Sequence, residues 1–243
     1  MKICIIGGTG SVAQALIKKI NCKDAIIYSR DEYSQNIMKR YYKAEYKLGD
    51  IRNYERTEDV IKQCNIVYHL AALKYVCTGE EQPMESVYTN IIGTNNIVKI
   101  CENYNIKLIY LSTDKSVYPV NVYGCTKFIS EKVVKNSKCD YVIIRSGNVW
   151  GSRGSLIPLI EDMKKEKKKV HLTDERMERY FISKDDIVKE LIKAQKESRK
   201  IIIPKMKLFK IIDIIKKYNC EYEIIGKREG EKLKENLFWE NEK

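Results

Sequence analysis

KICIIGGTGSVA, residues 2–13, decides the fold. The apolar run Ile3 to Ile6 reads as a buried strand, and it ends in Gly7-Gly8-Thr9-Gly10 before a stretch of helical spacing. Strand, glycine turn and helix in that order open a βαβ unit. The glycines let the backbone turn tightly and approach a pyrophosphate at a helix N-terminus. Ala13 stands where the third glycine of the pattern would be, so the motif is weak alone and gains weight from its place after a first strand.

Working outward, short apolar runs at residues 2–6, 24–28, 45–48, 66–70, 106–111 and 141–145 predict buried strands. Residues 11–20, 31–42, 54–63, 84–103 and 122–136 between them have helical spacing. Strand and helix alternating in this way predict parallel pairing with right-handed crossovers, hence an α/β fold with a Rossmann-like doubly wound sheet. Beyond residue 148 the regularity weakens; helices are expected over 184–197 and 207–218, with short strands over 201–203 and 222–225. The expected organisation is a cofactor-binding and catalytic region over 1–147 and a small substrate-binding lobe over 148–243, packed as one unit.

Composition narrows the function classes. Hydrophobic residues are 44% and charged residues 32% of the 243, which is ordinary for a globular protein and excludes a disordered tail. The formal charge of +12 invites a nucleic-acid reading, but the lysines are spread along the chain. The one tight run, Lys164 to Lys169 with Glu166 inside it, reads as the solvated face and end of a helix. No nucleic-acid partner is expected, and a basic surface suits an anionic nucleotide sugar. The eight cysteines form no C-x-x-C pair and do not cluster with His69 or His171, so neither a metal site nor a disulfide framework is expected. Free thiols and the lack of a long apolar segment predict a soluble cytoplasmic protein with no membrane partner.

The second predicted strand ends Tyr28-Ser29-Arg30-Asp31. A carboxylate there would hold the ribose 2′-hydroxyl of NAD, whereas a guanidinium fork suits the 2′-phosphate of NADP. Arg30 favours NADP, and Asp31 keeps NAD open. With the turn residues Gly7, Thr9, Gly10, Ser11 and Val12, the expected cofactor set includes Ser29, then Asp50 and Ile51 after the third strand. Ala71, Ala72 and Lys74 after the fourth complete it.

The most informative segment is Leu111-Ser112-Thr113-Asp114-Lys115, followed by Tyr123-Gly124-Cys125-Thr126-Lys127. The first block ends the fifth strand, at the carboxyl edge where open α/β sheets bind ligands. Tyr123 and Lys127 are four apart on a predicted helix and share a face. An ammonium beside a phenol favours the phenolate, a base able to take a hydroxyl proton as hydride leaves for a nicotinamide. In a chain of 17 tyrosines this spacing arises by chance, so its position after the fifth strand is what makes it catalytic.

These residues resemble extended short-chain dehydrogenases/reductases. More narrowly, AALKYV (71–76), PMESVYTNIIGTNN (83–96), LSTDKSVYPVNVYGCTK (111–127), GNVWGSRGS (147–155), TDERMERYFIS (173–183) and KREGEKLKE (227–235) resemble soluble, C5-inverting UDP-N-acetylglucosamine 4,6-dehydratases. The resemblance implies hydride abstraction at C4, loss of the C5 proton, departure of the 6-hydroxyl and return of the hydride to C6. It implies Lys115 as base at C5, Asp114 as acid for the 6-hydroxyl and Thr113 as a hydrogen-bond partner near O4. Tyr123 matches the soluble inverting branch, whose membrane-attached relatives carry methionine there. Lys74 and Tyr75 lie on the loop after the fourth strand, and Asn90 on the following helix behind the catalytic loop. To the nucleotide sugar the resemblance assigns Asn148, Arg179, Arg228 and Glu231, with Ser152, Arg153 and Ser155 lining the channel. Two departures stand out: the resembled enzymes run longer past Trp239, and Tyr75 replaces an expected histidine. A homo-oligomer through helices 84–103 and 122–136 is also implied. The rival readings are a nucleotide-sugar epimerase or 4-ketoreductase, against which the Asp114-Lys115 pair argues, and a non-catalytic NADP-binding regulator, against which the intact Tyr123 and Lys127 argue.

Overall fold

The computed structural model describes residues 1–242. Through the first part the chain alternates as β1 (Ile3–Ile6), α1 (Ser11–Ile17), β2 (Ala25–Ser29), α2 (Glu32–Lys39), β3 (Glu45–Leu48) and α3 (Tyr54–Ile61). It continues through β4 (Ile66–His69), α4 (Val76–Glu81), α5 (Pro83–Ser86), α6 (Gly93–Asn103), β5 (Lys107–Thr113), α7 (Val122–Lys135) and β6 (Tyr141–Ser146). A π-helical stretch, Val87–Ile92, joins α5 to α6. Then follow β7 (Asn148–Val149), α8 (Leu156–Lys165), β8 (Val170–Leu172), β9 (Glu178–Ile182), α9 (Lys184–Lys193), β10 (Lys200–Ile202), β11 (Lys207–Lys210), α10 (Ile211–Lys217) and β12 (Tyr222–Ile224).

Seven strands form one sheet in the order β10-β6-β5-β4-β1-β2-β3, every neighbouring pair parallel. This is the doubly wound sheet the alternation predicted. Its central strands are apolar on both faces because helices cover both. Cys4, Ile6, Val67, Leu108 and Tyr110 pack on one side with Val60, Ile97 and Val134. Ile3, Ile5, Ile27, Tyr68 and Ile109 pack on the other with Leu16, Ile187 and Leu191. Winding reverses between the neighbours β1 and β4, so the loops after them splay apart and open a crevice at the carboxyl edge.

The later residues divide. The helix α9 and the strand β10 return to the large sheet, β10 pairing with β6. The rest makes a lobe with a three-stranded sheet, β11-β9-β7, a two-stranded pair, β12-β8, and its own apolar cluster. The helix expected over 207–218 begins only at Ile211; its front is β11, antiparallel to β9. Phe209 explains the difference, because its ring lies 5.7 Å from Trp150 and 5.8 Å from Phe181 in an aromatic cluster that an extended segment reaches. The basic run at 164–169 ends α8, as its charge pattern suggested. Among the described residues, no helix is long and apolar enough to cross a membrane.

Candidate active site

The turn after β1 is built by glycine. Gly7 has φ +73°, and its N–H donates to the Tyr28 carbonyl (2.9 Å), while Gly10 N–H donates to the Gly7 carbonyl (2.9 Å). A Cβ on Gly7 would stand 2.8 Å from the Ala71 backbone, so only glycine lets the β1 and β4 loops meet at the crevice floor. Gly10 caps α1 without a side-chain hydrogen bond, leaving the first-turn amides free of protein partners there.

At the end of β2 the charges are already committed. Both Asp31 oxygens accept from Ser34, from its backbone N–H (2.9 Å) and its hydroxyl (2.6 Å). These hydrogen bonds hold the Asp31 carboxyl below the usual carboxylate range. Arg30 reaches Asp50 at 3.2 Å, and Asp50 also pairs with Arg52 at 2.7 Å. The Arg30 guanidinium remains half exposed on the cleft rim.

The Thr113-Asp114-Lys115 block lies where β5 ends. Thr113 Oγ1 donates to Asp114 Oδ1 (3.0 Å), and Lys115 Nζ donates to the same oxygen (3.1 Å). Asp114 is fully buried and its Oδ2 has no hydrogen-bond partner. Ser116 Oγ bridges the Thr113 carbonyl (2.7 Å) and Glu131 Oε1 (2.8 Å), and Glu131 pairs with the buried Arg145 at 2.7 Å. Asn121 caps α7 by accepting from Gly124 N–H (2.7 Å). A Cβ on Gly124 would lie 2.4 Å from the Lys115 carbonyl, so α7 sits directly against the Asp114–Ser116 turn.

Lys127 and Tyr123 differ from the simplest expectation. Lys127 Nζ donates to the Leu111 carbonyl (2.8 Å) and lies 4.0 Å from the Tyr110 ring centroid. Burial lowers its amine to about 7, against a smaller opposing pull from Glu131. Burial likewise raises the Tyr123 phenol well above its ordinary range, a shift that the Thr113 hydroxyl opposes and the Asp114 carboxylate reinforces. The phenolate expected beside an ammonium is therefore not the resting state. The ammonium is turned toward a carbonyl and its charge is itself disfavoured by desolvation.

One cleft of about 550 Å³ gathers most of the predicted residues. Around the glycine turn it is lined by Gly7, Thr9, Gly10, Ser11, Val12, Ser29, Arg30, Asp31, Asp50, Ile51, Ala71 and Ala72. Thr113, Lys115, Tyr123 and Lys127 form a second wall, while Lys74, Tyr75, Asn148, Ser152, Arg153 and Ser155 close the remaining side. Five residues sit elsewhere. Asp114 is behind the wall. Asn90 is buried, bonded to Leu73 N–H, Leu73 carbonyl and Thr126, so it fixes the loop after β4. Arg179 donates to the Glu178 and Leu233 carbonyls. Arg228 and Glu231 line a separate depression of about 340 Å³ with Val120 and Lys232. Thr89, Ser112, Ser146 and Gly147 also line the cleft and were not singled out by sequence. Thr89, Ser112 and Gly147 each stand inside a quoted block, beside Asn90, Thr113 and Asn148, so a pattern could have given them; Ser146 lies outside every block.

A doubly wound parallel sheet with a glycine turn at its switch point, and a tyrosine and a lysine one turn apart on α7 beside the end of β5, defines a Rossmann-like scaffold. The sequence pattern of the family described as polysaccharide biosynthesis protein matches residues 3–243, and the chain belongs to that family. It is 39% identical to UDP-N-acetylglucosamine 4,6-dehydratase (inverting) from Campylobacter jejuni, covering 96% of this chain and 76% of the relative. It is 34% identical to a UDP-glucose 4-epimerase from Rickettsia rickettsii, over 97% of this chain and 76% of that one. Among solved structures, Pen from Bacillus thuringiensis superposes with a TM-score of 0.90 at 32% identity, covering 97% of this chain and 80% of Pen.

The buried lysine has a measurable cost. In the folded chain Lys127 gives up its proton near pH 7, whereas an ordinary lysine keeps it to 10.5. Between those values unfolding takes up a proton, so this group makes stability rise with pH. Below about pH 7 the full penalty of the buried ammonium is present. Lys127→Met should abolish turnover yet raise unfolding free energy at about pH 6 by a few kcal/mol, with the difference closing toward about pH 10. Denaturant melts across that range check it; a Lys127→Met variant less stable than the parent at low pH contradicts it.

Proposed function

We propose that the chain is a nucleotide-sugar 4,6-dehydratase that uses NADP, acts on UDP-N-acetylglucosamine and inverts C5. The observation that carries this is the Asp114–Lys115 ion pair set beside Thr113, Tyr123 and Lys127. An epimerase or ketoreductase needs only one acid/base group at the 4-hydroxyl. A dehydratase needs a second pair to remove the C5 proton and protonate the departing 6-hydroxyl.

The cleft suits a dinucleotide. The buried hydroxyls of Thr89, Ser112 and Ser155 line it without a protein partner, and the glycine turn presents bare backbone to it with no side-chain cap on α1. Bound nicotinamide would supply the redox chemistry, accepting a hydride from C4 and giving it back at C6. The chain supplies everything else. Tyr123, with Thr113 at hand, takes the 4-hydroxyl proton once its own, held by burial, has passed to solvent, and Lys127, one turn along α7, favours the phenolate when it is protonated. Within the ion pair a proton passes from Lys115 Nζ to Asp114 Oδ1, and the freed amine takes the C5 proton, acidified by the 4-ketone. Asp114 delivers that proton to O6 as the C6–O6 bond breaks, and solvent supplies the proton that reaches C5 on the opposite face.

Arg30 on the rim and the Ser34-bound Asp31 support a 2′-phosphate over a free 2′-hydroxyl, hence NADP. The 148–243 region, with Asn148, Ser152 and Arg153 on the cleft, provides the sugar side, and the nucleotide end extends toward Arg228 and Glu231. Met84, Tyr88, Ile92 and, on α7, Ile129 are exposed on neighbouring helices, which supports pairing of two copies through this face. Ile92→Glu should then convert a dimer to a monomer by sedimentation, and a parent that is already monomeric refutes the pairing.

The test of function is incubation with UDP-N-acetylglucosamine and catalytic NADP in D₂O, followed by NMR. A 6-deoxy-4-keto sugar with inverted C5 carrying deuterium is expected. Interconversion at C4 without loss of water would establish the epimerase instead.

A further inference from the structure

The turn at residues 151–155 leaves the lobe side and crosses to the cofactor side. It is tightly made: Gly151 and Gly154 have φ +62° and +66°, and Ser155 N–H donates to the Ser152 carbonyl (3.0 Å). Its backbone is held by two groups of the large-sheet region. Arg153 N–H donates to Ser11 Oγ (2.9 Å), on the glycine turn, and Lys74 Nζ donates to the Arg153 carbonyl (2.7 Å), from the loop after β4. These contacts join points 142 and 79 residues apart in sequence. The Tyr75 ring fills the space beside Gly154 so fully that a Cβ would stand 1.6 Å from its hydroxyl oxygen. The Arg153 guanidinium lies 3.9 Å from Asp31, at the adenosine end of the cleft. Ser155 Oγ is buried against the cleft without a partner.

From this geometry we propose that the 151–155 turn is a latch over the dinucleotide, clasped by Ser11 and Lys74 and seated on Tyr75, that sets how slowly the cofactor leaves. It rests on the reading of the cleft as a dinucleotide site. The chemistry gives the latch its purpose. The reaction is redox-neutral overall, so reducing equivalents taken at C4 must stay in the site until they return to C6. A cofactor lost in mid-cycle strands a 4-keto sugar and an enzyme in the wrong oxidation state. Closing loops commonly retain ligands in this way. A clasp made of backbone N–H and C=O groups holds the turn whatever the Arg153 side chain does. Burial together with the neighbouring Arg153 charge lowers the Lys74 amine, consistent with its role as a short-range hydrogen-bond donor inside the closed turn.

The test uses the full chain loaded with NADPH, its release followed by nicotinamide fluorescence on displacement by excess NADP. Ser11→Ala and Tyr75→Ala should each speed release at least about tenfold with little change in melting temperature, and the double variant should be no faster than the faster single one, because both open the same latch. Gly154→Ala, which must expel Tyr75, should match them; since it is strained at positive φ, the other two variants carry the test if it does not fold. Parental release rates in Ser11→Ala and Tyr75→Ala overturn the latch while leaving the dinucleotide reading standing. Multiplicative effects in the double variant overturn it also, as two independent ligand contacts. A parent that binds neither NADPH nor NADH overturns both.

Discussion

Lys127 reaching from the second turn of α7 to the Leu111 carbonyl at the end of β5 is the contact on which the site depends. It places a cation in an apolar environment, over the face of Tyr110, and so fixes where α7 can dock. Once α7 is there, Tyr123 lies one turn earlier on the same face, and Gly124 meets the Lys115 carbonyl with no room for a side chain. One helix–strand junction therefore sets the phenol, the ammonium and the Asp114–Ser116 turn together.

The charges beneath that junction are arranged in pairs. Glu131, one further turn along α7, accepts from Ser116 and from the Arg145 guanidinium, a side chain that is only 1% exposed. Leaving either partner alone would be costly at this depth, and the pairing holds the turn from below. The segment after β12 grips the same turn from outside: Lys232 Nζ donates to the Val117 carbonyl (2.7 Å), Asn121 donates to the Gly230 carbonyl (2.8 Å), and Arg145 donates to the Leu237 carbonyl (3.0 Å). The Tyr118 ring packs tilted against Trp239, their centroids 4.5 Å apart. Much polar structure is thus spent on positioning two residues, Asp114 and Lys115, whose side chains bond to each other.

The large sheet was legible because its strands are runs of Ile, Val, Leu and Tyr bounded by turn residues, and the glycine turn marked which run comes first. The helices between them follow from their apolar spacing, although α1 stops at Ile17 and α2 at Lys39, short of the periodic pattern. The lobe was not legible for the same physical reason. Its strands β7, β8 and β12 have two or three residues, too few for a period to show, and β11 carries a pattern that reads equally as the start of α10. In the site, Tyr123, Lys127 and the Asp114-Lys115 pair could be read from position after a strand. The raised phenol and depressed amine could not, because desolvation depends on which face of α7 is covered. The Glu131–Arg145 pair lay hidden likewise, as a helix residue and a strand residue without a shared motif. Arg179, Arg228 and Glu231 were marked only by the family resemblance, their own chemistry being that of surface charges, and the fold places them outside the main cleft.

In the proposed reaction Lys115 and Asp114 add a second acid/base step to a tyrosine–lysine site. Asp114→Asn tests it most directly, since the amide keeps an acceptor oxygen for Lys115 while losing the acidic proton. With UDP-N-acetylglucosamine and NADP in D₂O, this variant should still wash deuterium into C5 while forming at least about a hundredfold less 6-deoxy sugar than the parent. Product at the parental rate, or loss of C5 exchange together with product, would contradict the separate roles assigned to the two residues.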